Sequence, residues 1–155
     1  MGEKRTKAAN PSLNDLEVLA GRWEMEIRWS PGTHAQVGGP ASIRGAARFE
    51  WIEDGLYLVQ HQGDGGAPQA RWLMGRDETS GVYAVLYADA RGVSRVYEMS
   101  FGEGVWRLWR NAAGFSQRFE GRVGADGRTI DGRWEKSPDG QSWEADFDLK
   151  YVRAD

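Results

Sequence analysis

The sequence contains no cysteine and only two histidines, His34 and His61. The lack of cysteine excludes disulfide bonds, thiol nucleophiles and zinc sites built on thiolates. Two distant histidines do not supply the three or four ligands of a metal centre, and no pattern typical of a nucleophilic serine accompanies them. The sequence therefore predicts no metal site and no catalytic triad.

The chain also lacks an excess of either charge and any long apolar run. Twenty lysine and arginine residues stand against 23 aspartate and glutamate residues, for a net charge of −3. The clustered positive charge of a nucleic-acid surface is missing. No apolar run approaches the roughly 20 residues that span a bilayer, and the polar N-terminus lacks the hydrophobic centre of a secretory signal. We therefore expect a cytoplasmic protein that has no membrane span and does not bind nucleic acid.

Glycine and tryptophan are abundant, with 21 and eight residues in a chain of 155. The length corresponds to one domain. From Gly21 onward, turn signals such as Asp54-Gly55 and Gly102-Glu103-Gly104 recur at short intervals. They separate about ten short segments, which is typical of strands joined in antiparallel hairpins.

Several of these segments alternate between apolar and charged residues, so that one face of each strand is buried and the other is wet. The apolar positions that share a face are Trp23, Met25, Ile27, Trp29, Ile43, Ala47, Phe49, Trp51, Phe115, Phe119, Val123, Trp143, Phe147, Leu149 and Tyr151. A meander of one-sided strands hides its apolar face and loses its exposed edges by closing. We therefore predict an all-β fold, an antiparallel up-and-down barrel of about ten strands, with a two-sheet sandwich as the alternative.

One helix signal precedes the strands. Ser12 is placed to cap a short helix, with Asp15 in its first turn. The apolar stripe of this helix consists of Leu13, Leu16 and Leu19. We expect residues 1–10 to be a disordered tail and residues 11–155 to form a single barrel domain. The segment from residue 30 to residue 40 is interpreted as the longest loop, at the mouth of the barrel.

The short helix runs through Leu19 and Ala20 into Gly21-Arg22-Trp23 at the start of the first predicted strand. This run resembles the opening signature of the calycin superfamily, the lipocalins and their relatives. The resemblance implies that the tryptophan closes one end of the barrel, with an arginine or lysine of the last strand packed over it. Arg153 is in phase with the inward residues of the last predicted strand and is the matching position. The layout from about residue 13 to residue 153 also resembles uncharacterised bacterial lipocalin-like barrel proteins.

Nitrobindin and its heme-binding relatives are more distant barrels of this kind. Their axial heme ligand is a histidine late in the chain, whereas no histidine follows His61 here. The glycine-rich pattern of their first strand is also missing, because Trp23 is followed by Glu24-Met25-Glu26-Ile27. The comparison argues against heme, and we expect no cofactor.

Polar residues on inward faces are the main candidates for a binding site, because small-molecule sites are apolar cavities with a few convergent polar groups. Arg95 and Tyr97 share the inward face of the sixth predicted strand, where a guanidinium and a phenol suit a carboxylate or phosphate. Fatty-acid-binding barrels hold a carboxylate with a similar Arg-x-Tyr pair, on their last strand. The alternative is that Arg95 reaches into solvent. Gln117 lies between inward phenylalanines, so a ligand, a water molecule or Arg95 must satisfy its amide.

The facing of the third predicted strand depends on the turn at Asp54-Gly55. A two-residue turn pairs Glu53 with Leu56, which directs Leu56 and Gln60 inward and His61 outward, toward the rim. A longer turn reverses this arrangement.

The tryptophans divide by depth. Trp23 and Trp51 belong to the core at the closed end. The open end collects Trp29, Trp72, Trp109, Trp134 and Trp143, and the facing of Trp72 and Trp109 is left open. The full predicted ligand-binding set is Trp29, Gln60, His61, Trp72, Arg95, Tyr97, Trp109, Gln117, Trp134 and Trp143.

The residues leave three functions open. We favour a protein that binds a small apolar or aromatic ligand in the barrel cavity, where Arg95, Tyr97 and Gln117 add the option of an anionic group. The first alternative is an enzyme that uses the same cavity, with Tyr97 or His61 as proton donor or acceptor. The second is a filled barrel that acts through its surface, with a homodimer suggested by an outward apolar set: Ile52, Tyr57 and Val59.

Overall fold

The structure, a computed structural model, describes residues 8–64 and 69–155. Ten antiparallel strands follow one another around a closed barrel, and the first pairs with the last to complete it. The strands are β1 (Gly21–Trp29), β2 (Ser42–Ile52), β3 (Tyr57–Asp64), β4 (Ala70–Arg76), β5 (Tyr83–Asp89), β6 (Ser94–Gly102), β7 (Val105–Arg110), β8 (Ser116–Val123), β9 (Thr129–Ser137) and β10 (Glu144–Arg153). The prediction of an all-β barrel of about ten antiparallel strands is confirmed, and the sandwich alternative is wrong.

The alternation within each strand places the apolar side chains inside the barrel. In β1, Trp23, Met25 and Ile27 are 1%, 2% and 3% exposed, whereas Arg22 and Arg28 on the opposite face are exposed. Because successive side chains of a strand point to opposite faces, the same pattern around ten strands produces one continuous core in the lumen.

A 3₁₀ helix, Pro11–Leu19, lies against one end of the barrel. Three leucines of this helix are fully buried: Leu13, Leu16 and Leu19. Its cap is Asn10, whose side-chain oxygen accepts hydrogen bonds from the Ser12 backbone N–H at 3.0 Å and from the Ser12 hydroxyl at 2.6 Å. The prediction that Ser12 is the cap is wrong, because Pro11 has no N–H to satisfy and occupies the first helical position itself.

The expected disordered tail falls mainly on residues 1–7, which lie outside the described residues. Of the residues that follow, Ala8 packs against the core and the Ala9 backbone N–H donates to the Gly55 carbonyl at 2.8 Å. The chain therefore lies on the barrel from residue 8 onward.

Trp23 and Arg153 meet at the end of the barrel that the 3₁₀ helix covers. The Trp23 indole N–H donates to the Leu19 carbonyl at 2.8 Å, and the Arg153 guanidinium lies 4.2 Å from the centre of the Trp23 ring. Gly21, at φ +120°, permits this approach, because a Cβ there would lie 2.5 Å from Arg153 Nη1. The arrangement that the resemblance implies is present and closes this end.

The connection between β2 and β3 contains a 3₁₀ turn over Glu53–Gly55. The whole connection, residues 53–56, is one residue longer on each side than the predicted two-residue turn, but the pairing register of β2 and β3 is the same. Gln60 therefore points into the lumen and His61 points outward, as the two-residue turn predicts. Leu56, predicted to point inward, is 53% exposed, because the wider turn leaves it outside the paired ladder.

The segment interpreted as the longest loop contains a short α-helix, α1 (Pro31–Val37). The Ser30 hydroxyl accepts from the Thr33 N–H at 3.3 Å, and Pro31 takes the first helical position. A capping serine followed by proline is a helix-start signal that the sequence analysis missed. The Ser30 backbone N–H donates to the Asp146 carbonyl at 2.9 Å, which fixes α1 at the open end of the barrel.

Candidate functional site

A cavity of about 360 Å³ occupies the lumen beneath α1, at the end opposite Trp23. Side chains from β1 and from β3 to β10 line it, and α1 contributes Thr33 and Val37. Pockets that bind small molecules have volumes of about 300–1,000 Å³, so this cavity lies at the small end of that range. The lumen has room for a ligand of modest size.

Aromatic rings form much of the cavity wall. Trp72 lies 4.5 Å from Tyr87, 5.1 Å from Tyr97 and 5.9 Å from Trp134, measured between ring centres. Trp134 in turn stacks on Phe147 at 6.3 Å. Rings in these tilted and stacked arrangements are stiff and offer flat apolar faces, which suit a planar or apolar ligand.

The polar centre of the cavity is Gln117. Its Oε1 accepts a hydrogen bond from the Tyr97 hydroxyl at 2.7 Å and another from Arg95 Nη1 at 3.3 Å. Within residues 8–64 and 69–155, no partner is found for Gln117 Nε2. Burial raises the pKa of Tyr97 above its ordinary value of 10.0, against the opposing effect of Arg95. Tyr97 is therefore a neutral donor at physiological pH.

Four charged residues line the cavity: Asp89, Arg91, Arg95 and Asp146. Asp89 and Arg91 form an ion pair at 2.7 Å, and Asp146 lies 3.7 Å from the Lys136 ammonium. The Arg91 guanidinium and the Tyr87 hydroxyl, both hydrogen-bonded to Asp89, hold the pKa of its carboxyl far below its usual range. Arg95 has no carboxylate partner within the described part of the chain. The uncompensated charge of the cavity is therefore positive.

A second polar pair lies deeper in the lumen. Gln60 is 1% exposed, and its Nε2 donates to the Tyr151 hydroxyl at 2.9 Å. Burial raises the pKa of Tyr151 well above 10, with the hydrogen bond from Gln60 opposing the shift. The pair presents a polar patch within reach of a ligand in the aromatic cavity.

The cavity brings together seven of the ten residues predicted to bind a ligand: Trp29, Gln60, Trp72, Arg95, Tyr97, Gln117 and Trp134. They belong to six different strands and meet because the barrel closes. Trp72, whose facing the sequence left open, points inward, and its indole N–H donates to Gln62 Oε1 at 2.9 Å.

The structure places His61 outside this cavity. It lies on the outer face of β3, where its Nε2 is 2.7 Å from Glu50 Oε1. Since Gln60 takes the inward position, alternation along the strand forces His61 outward.

Trp109 also lies outside the cavity. Trp106 and Leu108 take the inward positions of β7 and are 2% and 3% exposed, which leaves Trp109 on the outer face. Trp106 lines the cavity in its place. A signal for this existed in the turn after Phe101, because a two-residue turn pairs inward Phe101 with Trp106.

Trp143 precedes β10 and packs against the outer surface, where the Arg118 guanidinium lies 4.1 Å from its ring centre. The register of β10 shifts between Ala145 and Phe147. This bulge reverses the alternation of side chains on its N-terminal side. Asp146 therefore points inward, and Trp143, which simple alternation places on the inward face, lies outside. Neither the bulge nor the inward carboxylate of Asp146 has a clear signal in the sequence.

Tyr87 is a further lining residue that the sequence analysis missed. Tyr83 and Val85 are buried on the inward face of β5, and the same alternation extends to Tyr87. The hydroxyl of Tyr87 donates to Asp89 Oδ2 at 2.6 Å, so this ring joins the aromatic wall to the ion pair at the mouth.

No family model and no curated protein sequence matches the chain. Its structure is similar to a solved protein described as Rv2717c from M. tuberculosis, with a TM-score of 0.62. The similarity covers 94% of this chain and 98% of that chain. The two sequences are 17% identical, so the likeness shows the barrel fold alone.

Within residues 8–64 and 69–155, no group of three or more histidine, aspartate or glutamate side chains could hold a metal ion. His34 lies in α1, with its Nε2 2.8 Å from the Gly39 carbonyl.

None of the helices within residues 8–64 and 69–155 has the length and apolar character needed to cross a membrane.

Proposed function

We propose that the protein binds a small apolar or aromatic ligand that carries an anionic group, inside the barrel cavity. The observation that carries this proposal is the position of Arg95. Its guanidinium lies in an aromatic cavity and has no carboxylate partner among the described residues. An arginine in such a place binds a carboxylate or phosphate by charge-assisted hydrogen bonds. The Tyr97 hydroxyl and the Gln117 amide stand beside it as further polar groups.

The cavity also bears on the alternatives. A volume of about 360 Å³ favours the two functions that need an open lumen over a filled barrel. For the enzyme, His61 faces away from the cavity, and the raised pKa of Tyr97 disfavours proton abstraction by its phenolate at neutral pH. We therefore favour binding over catalysis.

We also propose that the chain is a member of the calycin superfamily. The support is the joint position of three residues that carry the resemblance: Gly21, Trp23 and Arg153. The Arg153 guanidinium covers the Trp23 ring at 4.2 Å, and Gly21 supplies the space that it needs. Together they close one end of a ten-stranded antiparallel barrel.

The homodimer stays a prediction of the sequence. Val59 belongs to a row of apolar cross-strand neighbours on the outer face: Val59, Leu73, Leu86 and Val96. Val59 is 6% exposed, whereas Leu86 and Val96 are 46% and 70% exposed, and exposed apolar side chains such as these two occur at protein interfaces. Together with Ile52 and Tyr57, this face is where two copies would meet.

The proposed binding is tested with 2-naphthoate, whose planar ring suits the aromatic wall and whose carboxylate suits Arg95. Titration should change the fluorescence of the tryptophans that line the cavity. We expect Arg95→Gln to weaken 2-naphthoate binding by about tenfold, the effect of losing one charge-assisted hydrogen bond. The uncharged isostere 2-naphthamide should bind the wild type and Arg95→Gln with about equal affinity.

The matched control is Arg107→Gln, which removes the same charge from the outer face of β7, where the Arg107 side chain is 52% exposed. This variant should bind 2-naphthoate like the wild type. An aliphatic probe, decanoate, extends the test to acids without a ring. The proposal fails if neither acid binds, or if Arg95→Gln and Arg107→Gln weaken binding equally.

A further inference from the structure

Two rows on the outer surface of the barrel, which cross β7 to β10, β1 and β2, follow a simple charge rule. In one row of cross-strand neighbours, positive and negative residues alternate from strand to strand: Arg107, Glu120, Arg133, Asp148 and Arg28. A second row alternates in the same way: Arg122, Asp131, Lys150, Glu26 and Arg44. Opposite charges that face each other across strands stabilise a sheet, and like charges destabilise it.

One row across β1 to β4 breaks this rule. Arg22 faces Arg48, Arg48 faces His61, and His61 faces Arg71. The three arginines are exposed on the outer face, and His61 between them is half-buried. No acidic side chain alternates with them in the row. We call these four residues the basic row.

Carboxylates beside the basic row offset only part of its charge. Glu50 Oε2 lies 3.3 Å from Arg48 Nη1, Glu24 lines the surrounding surface, and Asp155 Oδ2 accepts a hydrogen bond from the Arg22 backbone N–H at 3.1 Å. Arg71 Nη1 donates to two backbone carbonyls, at 3.0 Å and 3.4 Å. Among the described residues, no ion pair is found for Arg22 or Arg71. Because Asp155 also pairs with Arg153 at 3.3 Å, the carboxylates found among the described residues beside the basic row do not fully offset its charge.

The basic row borders a hollow in the barrel wall. A groove of about 550 Å³ runs over this face and is lined by the four residues of the row. Small residues, Ala46, Ala47 and Gly63, also line it, and the β2–β3 register shifts between Ala46 and Ala47. The charges therefore surround a concave surface that can accept a bound group.

We propose that the basic row is a binding site for linked phosphate groups, such as those of a diphosphate. Guanidinium groups remain charged and match the oxygen geometry of phosphate. Neighbouring strands lie about 4.8 Å apart, so the row presents successive donors at a spacing that two joined phosphates can bridge. A bound anion would also offset the repulsion between Arg22 and Arg48, which face each other directly. This site is on the outside of the barrel and does not depend on the ligand in the lumen.

The test is isothermal titration calorimetry with inorganic pyrophosphate, at an ionic strength matched with NaCl. Arg48→Gln and Arg71→Gln should each weaken binding by about tenfold, because each removes a charge-assisted hydrogen bond. Arg133→Gln is the matched control, since it removes the same charge from an alternating row on the outer face. It should change the affinity by less than about twofold. Thermal unfolding of each variant verifies that it folds.

A second arm separates free phosphate from phosphate on a lipid. Phosphatidylcholine vesicles with and without diacylglycerol pyrophosphate, a lipid with a diphosphate headgroup, are sedimented with the wild type and with Arg48→Gln. Binding that requires both this lipid and Arg48 assigns the basic row to a lipid-borne diphosphate, even where pyrophosphate gives no heat. The proposal is overturned if neither probe binds, or if Arg133→Gln weakens binding as much as Arg48→Gln does.

Discussion

Two amides in the lumen, Gln60 and Gln117, are each held by a tyrosine. Gln60 Nε2 donates to the Tyr151 hydroxyl at 2.9 Å, and Gln117 Oε1 accepts from the Tyr97 hydroxyl at 2.7 Å. A buried polar group that loses its partner costs about 1–3 kcal/mol, whereas replacing both partners by apolar groups of the same shape is close to neutral. Each phenol therefore fixes the orientation of one amide and so fixes the polar groups that a ligand would meet.

Gln60 and Tyr151 form the deeper of the two pairs. Tyr151→Phe keeps the ring but leaves the Gln60 amide without its partner, so the free energy of unfolding should fall by about 1–2 kcal/mol. Gln60→Leu combined with Tyr151→Phe removes both polar groups and should lose less than the sum of the two single changes. Urea denaturation of the four proteins of this cycle measures both effects. Strict additivity would mean that the hydrogen bond contributes nothing.

Among the elements, α1 is held over the cavity mouth by a small network. The Thr33 hydroxyl donates to Asp146 Oδ1 at 2.8 Å and accepts from the Lys136 ammonium at 2.9 Å. The same ammonium lies 3.4 Å from Gln36 Oε1. The bulge in β10 makes this network possible, because it turns Asp146 toward the lumen. The helix is therefore fastened by side chains, and a local change should release it without unfolding the barrel.

We expect Thr33→Val to loosen α1 specifically. Valine keeps the shape of threonine but neither donates nor accepts a hydrogen bond, so Asp146 and Lys136 lose a common partner. Hydrogen–deuterium exchange of α1 amides should accelerate by about tenfold, while the amides of β6 to β8 keep their rates. Thr79→Val, at an exposed turn position, is the control and should leave α1 unchanged. Unaltered exchange in α1 after Thr33→Val would show that other contacts hold the helix.

The barrel as a whole withdraws the hydroxyl groups of several tyrosines from water. Burial raises the pKa of four tyrosine hydroxyls above the ordinary value of 10.0: Tyr83, Tyr87, Tyr97 and Tyr151. A group whose pKa is raised in the folded state stabilises that state fully below its unfolded pKa. This stabilisation is lost as the pH rises, because the unfolded chain releases the proton first.

The free energy of unfolding should therefore be independent of these groups below about pH 9 and fall above about pH 10. Each buried phenol contributes a slope of up to about 1.4 kcal/mol per pH unit in that range. Tyr151→Phe should reduce the slope by the share of one tyrosine. Guanidinium denaturation at a series of pH values measures it. A stability that stays constant above pH 10 would contradict the burial of these hydroxyls.

The strand pattern and the facing of several site residues follow from local order in the sequence. Alternation along β6 and β8 is enough to place Tyr97 and Gln117 inside, because side chains of a strand point to opposite faces in turn. The motif of Gly21 and Trp23 with Arg153 can likewise be predicted from the sequence. It depends only on residue types and on Arg153 being in phase with the inward residues of the last strand. Seven of the ten residues predicted to bind a ligand line the cavity.

Two kinds of feature could be seen only in the tertiary structure: departures from strict alternation, and contacts between distant strands. The bulge in β10 turned Asp146 inward and Trp143 outward, and a bulge is defined by the pairing of two strands, because it places two residues of one strand opposite one residue of the other. The basic row is invisible along the chain, because Arg22, Arg48 and Arg71 lie in three different strands. The sequence sets the period of each strand, whereas register between strands is set by closure and packing of the whole barrel. That register alone decides which charges face each other.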